Sequence, residues 1–187
     1  SSDDALIAEY GEMRRIPLKI ADIPQPMLDA FLAIEDSRFY EHPGIDPIGI
    51  LRAGVVWLTT GQMRQGASTI TQQVARNFFL SREKTLMRKV KEVFLAWNIE
   101  KELSKDEILE LYLNKIPLGY RAFGVGAAAQ VYYGKRVDQL TLGEIAVIAG
   151  LPKAPSLLNP IRSPQRAQAR RNVVLGRMLE LGKITQE

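Results

Sequence analysis

Apolar residues recur along most of this chain at the spacing of a helix rather than of a strand. In "MLDAFLAI" (27–34), Leu28, Phe31 and Leu32 fall on one helical face, and Phe39 follows beyond it. Pro24 and Pro26 precede the run and His42-Pro43-Gly44 breaks it, so a helix is predicted up to about Phe39. Further helices are predicted over 47–59, stopped by Gly61, over Thr69–Phe79, and over 83–102. "SKDE" (Ser104–Glu107) and "TLGE" (Thr141–Glu144) read as capping boxes ahead of "ILELYLN" and "IAVIAGL". The stretch "NPIRSPQRAQARRNVVLGRMLELG" opens with proline turns and closes as an amphipathic helix. Tyr10–Ile20 is the main strand candidate, and no internal repeat appears. The pattern is that of a mainly α chain, large enough at 187 residues for one domain with its own core.

Two acids interrupt this pattern. Glu35 lies seven, four and three residues after Leu28, Phe31 and Leu32, which puts it inside the apolar stripe of its helix. In "LMRKVKEVFLAWNIEKEL", Leu86, Val90, Val93, Phe94 and Trp97 make one apolar face. Arg88 and Glu92 lie on the opposite side with Lys89 flanking, but Leu95 and Ile99 lie there too. That helix is therefore expected to be enclosed on both faces, with Glu92 lining an interior surface. The plainer reading is an Arg88–Glu92 helix pair. Between the acids, "GASTITQQVARN" (66–77) offers a turn at Gly66 and then hydroxyls and amides suited to sugars. An N-capped helix start accounts equally for Ser68 or Thr69, but less well for Gln72-Gln73.

Charge sharpens the picture. Residues 1–48 carry ten Asp/Glu against four Lys/Arg, whereas residues 64–91 carry seven Lys/Arg against one Glu. Such a basic stretch suits an anionic partner, or is simply a solvated face. With no cysteine and one histidine, disulfides, cysteine metal sites and multi-histidine sites are excluded. No stretch reaches the roughly 20 apolar residues of a spanning helix. "IGILRAGVVWL" (48–58) is too short and is interrupted by Arg52, so it is expected in the core or at a membrane interface. "SSDDALIAEYGE" has no features of a secretory signal, and the end at "LGKITQE" reads as that of a piece of something longer. "SREK" (Ser81–Lys84) fits S-x-x-K by chance, since its companion motifs are missing. "GVGAAA" from Gly124 is better explained by close helix packing than by a dinucleotide loop. His42, beside Pro43 and Gly44, reads as a structural hydrogen-bonding residue.

Four motifs stand in order. "EDSRFYEHPG" from Glu35 matches E-D-x-x-F-x-x-H-x-G, and "GASTITQQ" from Gly66 matches G-x-S-T-x-T-Q-Q. "RKVKE" from Arg88 matches R-K-x-x-E, and "KDEILELYLN" from Lys105 matches K-x-x-I-L-x-x-Y-L-N. Together they resemble the peptidoglycan glycosyltransferase domain of class A penicillin-binding proteins, sugar-transferase family 51, from about Leu28 to the end. Arg76 stands where that pattern has Lys, and Tyr133 where it has Phe; both keep the chemistry.

The resemblance implies a lysozyme-like helical head lobe with a smaller membrane-facing jaw lobe and cleft loop, about 45–80, within one domain. It implies polymerisation of lipid II by inverting β-1,4 transfer, with undecaprenyl pyrophosphate leaving, at the outer face of the bacterial cytoplasmic membrane. Lipid II and the lipid-linked glycan would be the partners, the membrane would be met through about 48–58, and cell-wall synthesis proteins are expected nearby. Nucleic acid is not expected, and moenomycin-type inhibitors are. Glu35 would be the general base. Glu92 would position cations or hold a divalent ion, Mg or Mn, on the pyrophosphate; no organic cofactor is implied. Asp36, Phe39, Gly66, Ser68, Gln73, Arg76, Lys84, Arg88 and Lys89 would bind or orient substrate. The family usually carries an N-terminal anchor and a following transpeptidase domain. The alternatives are a lysozyme-like glycan-cleaving enzyme, which needs no basic run, and a basic helical nucleic-acid or anion-binding module, which does not explain Glu35.

Overall fold

A computed structural model describes residues 14–62, 66–80 and 85–186. Among these residues the helices are α1 (Gln25–Glu35), α2 (Pro47–Thr60), α3 (Ile70–Phe79), α4 (Leu86–Glu102), α5 (Lys105–Lys115), α6 (Val125–Tyr133), α7 (Leu142–Gly150), α8 (Pro155–Leu158) and α9 (Pro164–Glu180). Three 3₁₀ turns join them. Among the described residues a two-stranded pairing is parallel, with β1 (Arg14–Arg15) aligned on β2 (Ala122–Phe123). The long strand expected over Tyr10–Ile20 is thus reduced to two residues; 10–13 lie outside the described residues, and 16–19 are not in a strand.

Most helix starts are set locally. Side chains of Asp46, Thr69, Thr85, Ser104, Thr141 and Ser163 accept from backbone N–H groups in the first turns of α2, α3, α4, α5, α7 and α9. Thr141–Glu144 is the reciprocal box expected, and Thr69–Gln72 is a second one. At Ser104 the forward bond from Glu107 N is made at 3.2 Å. The first helix is shorter than its pattern predicts. It ends at Glu35 because Asp36 turns extended, with φ −162°, and directs its carboxylate at other elements.

The core is built by Met27, Ala30 and Phe31 of α1, Ile70 and Val74 of α3, Ile108, Leu109, Tyr112 and Leu113 of α5, and the inner faces of α6, α7 and α9. α1 packs on α7 and α9, while α3 packs on α4 and α5. α3, which follows the cleft loop, is therefore part of this body. Its first six residues are all buried. "GVGAAA" behaves as close packing requires, with Gly126–Ala129 buried. A Cβ on Gly126 would meet Ile16 O at 2.6 Å, so only glycine fits there.

Two helices depart from this scheme. α2 buries none of its residues; Leu51 is 69% and Leu58 77% exposed. α4 buries Glu92, Ala96 and Ile99, while Leu86, Met87, Val90, Phe94 and Trp97 are exposed. The expectation that α4 is covered on both faces is corrected. The edge that carries Glu92, Ala96 and Ile99 faces the protein, and the face of Leu86, Val90, Phe94 and Trp97 is bare. No described helix is long and apolar enough to cross a membrane.

Candidate active site

A cleft of about 930 Å³ opens between the C-terminal end of α1, the loop ahead of α3, and α9. Glu35, Gly66, Ser68, Gln73 and Arg76 line it, as do Arg52, Lys153, Arg170 and Arg177. Glu35 is the last residue of α1, so the stripe that holds Phe31 in the core delivers a carboxylate to the cleft wall. Gln73 Nε2 donates to Glu35 Oε2 at 3.1 Å. Burial pushes the Glu35 carboxyl above its ordinary value, while the Gln73 bond and the charges of Arg170 and Arg76 pull it back. The result is a partly desolvated carboxylate between cations from two sides of the cleft.

Asp36 does not reach toward a ligand. Its carboxylate is buried and binds His42 Nε2 at 2.7 and 2.9 Å, and Ile70 N donates to it at 3.1 Å. Gly44 N donates to His42 Nδ1 at 3.1 Å, which places the ring proton on Nε2, facing Asp36. His42 is thus structural, as read from its neighbours. Gly44 adopts φ +99°, and a Cβ there would meet Glu100 Cγ at 2.8 Å. Around this turn Thr69 Oγ1 donates to Gly44 O, Lys105 Nζ to His42 O and Glu100, and Thr71 Oγ1 to Glu100. This network ties the loop after α1 to the start of α3 and fixes Glu35 against Gln73. Phe39, expected to touch substrate, is 1% exposed and packs on Tyr40 and His42, with Lys105 Nζ 4.4 Å above its ring. Asp36 is thus part of the cleft wall with its carboxylate turned inward, and Phe39 stands behind that wall.

The second acid is elsewhere. Glu92 is completely buried, and its Oε1 takes a bond from Lys89 Nζ at 2.9 Å. Lys89 Nζ also donates to Ser68 Oγ at 2.8 Å. The helix pair is therefore Lys89–Glu92, three apart, rather than Arg88–Glu92. It anchors the cleft loop to α4. Arg88 lies on α4, outside the residues that line the cleft, and Lys84 lies outside the described residues. Glu92 Oε2 has no hydrogen-bond partner among the described residues. The charged partner of Glu92 is thus a cation, and no cluster of three or more metal-ligating side chains occurs among the described residues.

Sequence reading missed the far wall. Lys153 follows α7, and Arg170 and Arg177 project from α9. Arg170 Nε donates to Gly150 O at 3.2 Å, and Arg177 reaches Ser37 Oγ at 3.4 Å and Glu180 at 3.0 Å. Their spacing of seven put both on one face of an amphipathic helix, but nothing local revealed that this face closes a cleft.

Comparison with known proteins identifies the family. The profile of the Transglycosylase family matches residues 3–179. Penicillin-binding protein 1A of Escherichia coli (strain K12) is 71% identical over 187 residues, all of this chain and 22% of the relative. The protein of that name from Vibrio cholerae is 66% identical over 186 residues, again 22% of its length. The crystal structure of penicillin-binding protein 1A from Haemophilus influenzae superposes with a TM-score of 0.58 at 41% identity, over 94% of this chain and 17% of that one. The chain thus spans about a fifth of the length of the curated relatives it matches. Ordered motifs, a mainly α body and a cleft around Glu35 converge with a profile match over nearly the whole chain: it belongs to the transglycosylase family of penicillin-binding proteins.

Proposed function

We propose that this domain polymerises lipid II into peptidoglycan glycan strands by inverting glycosyl transfer. The observation that carries the reading is the partly desolvated Glu35 carboxylate, held by Gln73 in a cleft with Arg76 on one wall and Arg170 on the other. The 4-hydroxyl of an incoming lipid II sugar attacks the anomeric carbon of the lipid-linked glycan. Its proton passes to Glu35, and the bond from that carbon to the pyrophosphate oxygen breaks. Undecaprenyl pyrophosphate leaves with the electron pair. A raised carboxyl pKa suits a base working near neutrality.

Each side of this displacement carries a pyrophosphate, and each wall carries cations. Arg76, with Lys89 at the Ser68 loop, suits the departing pyrophosphate, whose charge grows as the bond breaks. Lys153, Arg170 and Arg177 suit the acceptor. A glycan hydrolase would need neither set, and would need its Glu protonated. The bare apolar faces of α2 and α4 suit the surface of the membrane from which such substrates are drawn, at its outer face. Labelled lipid II given to the full chain in detergent tests the reading. Elongated glycan supports it, shortened preformed glycan would move the assignment to a hydrolase, and an unchanged substrate would overturn both.

A further inference from the structure

Behind Gln73 stands a group that no part of this mechanism uses. Tyr112 of α5 is 1% exposed and does not line the cleft. Its ring meets Phe31 edge to face, with centroids 6.0 Å apart, and its hydroxyl donates to Gln73 Oε1 across a long 3.4 Å. Gln73 Nε2 in turn donates to Glu35 Oε2. We infer that Tyr112 is a positioning residue, which, through Gln73, keeps Glu35 ionised and leaves Glu35 Oε1 as the oxygen that takes the proton.

The argument is one of donors and acceptors. A primary amide has one acceptor end and one donor end, and turning it over exchanges which neighbour meets which. Tyr112 O–H, buried with Gln73 as its hydrogen-bond partner, occupies the acceptor end. The donor end is then committed to Glu35, where N–H favours a carboxylate over a carboxylic acid. With the amide reversed, its oxygen would face Glu35, an arrangement that suits only the protonated acid. The phenol hydroxyl thus selects the amide orientation that matches an ionised base. Burial and the nearby Glu35 charge hold Tyr112 itself well above the usual phenol range, so it remains a donor.

Other charges around Glu35 do not replace this selection. Arg76 of α3 and Arg170 of α9 favour its ionised form, and Asp36 opposes it. The titratable residue of α7, Glu144, is occupied by Lys135 at 2.8 Å. None of these charges acts on Glu35 through the Gln73 amide.

The inference rests on Glu35 being the base, so its test has a readout apart from turnover. Glutamate labelled with ¹³C at the carboxyl is followed by NMR through a pH titration of the full chain, with the Glu35 signal identified by its loss in Glu35→Gln. Tyr112→Phe keeps the ring packing and is expected to move the Glu35 titration to higher pH. It should lower kcat near pH 7 by about two- to tenfold, as loss of one hydrogen bond would, with recovery as pH rises and little change in KM. Gln73→Leu should move the titration in the same direction. Tyr112→Phe added to Gln73→Leu should then change nothing further. An unchanged Glu35 titration in Tyr112→Phe overturns the inference, as does a shift that persists in full without Gln73. If Tyr112→Phe does not fold, an unchanged titration in Gln73→Leu overturns it equally. Failure of the wild-type chain to polymerise lipid II would instead remove the proposed function and leave the titration result standing.

Discussion

α4 and α5 are neighbours in sequence, both amphipathic, and oriented oppositely. α5 turns Ile108, Leu109, Tyr112 and Leu113 into the core. α4 turns Glu92 inward and leaves Leu86, Phe94 and Trp97 outside at 84%, 61% and 51% exposure. Periodicity specifies that a helix has two faces; it does not specify what covers either. α5 lies among α1, α3 and α6, which bring apolar partners. α4 meets α3 along an edge where Lys89 joins Glu92 to Ser68, so polar partners were available on its inner side. The interior of this protein thus has an apolar part that supplies stability and a charged part that supplies the cleft.

The largest effect should come from the charged part. Glu35→Gln is expected to lower lipid II polymerisation by about 10²–10⁴-fold, the usual range for loss of a general base, measured at constant lipid II with the purified chain. The same variant should be more stable than wild type at neutral pH. The folded-state pKa of Glu35 lies above its ordinary 4.5, so the unfolded chain ionises first as pH rises. The carboxylate therefore costs stability above its folded-state pKa, and that cost disappears as pH falls below 4.5. Thermal melts across this range should show the advantage of Gln fading toward acid; an advantage that grows toward acid would contradict the assigned desolvation.

The apolar part gives the next effect. Phe31→Ala should cost about 3–5 kcal/mol in denaturant unfolding, as for other buried aromatics. Phe94→Ala, on the bare face of α4, should stay within about 0.5 kcal/mol. Equal costs would mean that the two faces do not differ and would break the comparison. Lys89→Ala should fall between them, costing about 1–3 kcal/mol by leaving buried Glu92 without its partner. Adding Glu92→Gln should restore much of that stability. It should not restore kcat if Lys89 also meets the departing pyrophosphate, which separates the two roles of one side chain.

The smallest effect tests what the bare faces are for. Trp57→Ser with Phe94→Ser should leave the melting temperature nearly unchanged, yet weaken binding to liposomes by about tenfold, as expected for half-burying two large apolar side chains. Unchanged liposome binding would mean that α2 and α4 serve some contact other than lipid.

Sequence alone determined most of the local structure, because its causes are local. Helix starts follow from side chains one turn away, as at Thr69, Ser104 and Thr141, and the stop of α2 from Gly61, whereas α1 ends at Glu35, ahead of the turn at His42. Glu35 was legible for the same reason: a carboxylate inside its own helix's apolar stripe is anomalous within eight residues. Four motifs in order then tied it to a family. Only the tertiary structure decided where those helices pointed. Phe39 matched its motif as well as Gln73 did, yet it stands in the core because Lys105 and His42 close over it. Asp36 adjoins Glu35 but faces inward, since His42 and the start of α3 offer it three bonds. Lys153, Arg170 and Arg177 lie more than a hundred residues beyond Glu35, and only the packing of α9 on α1 brings that face to the cleft. A sequence records which side chains a segment offers. Which of them meet is fixed by long-range packing, where the cost of burying an unpaired charge settles the direction in which each helix turns.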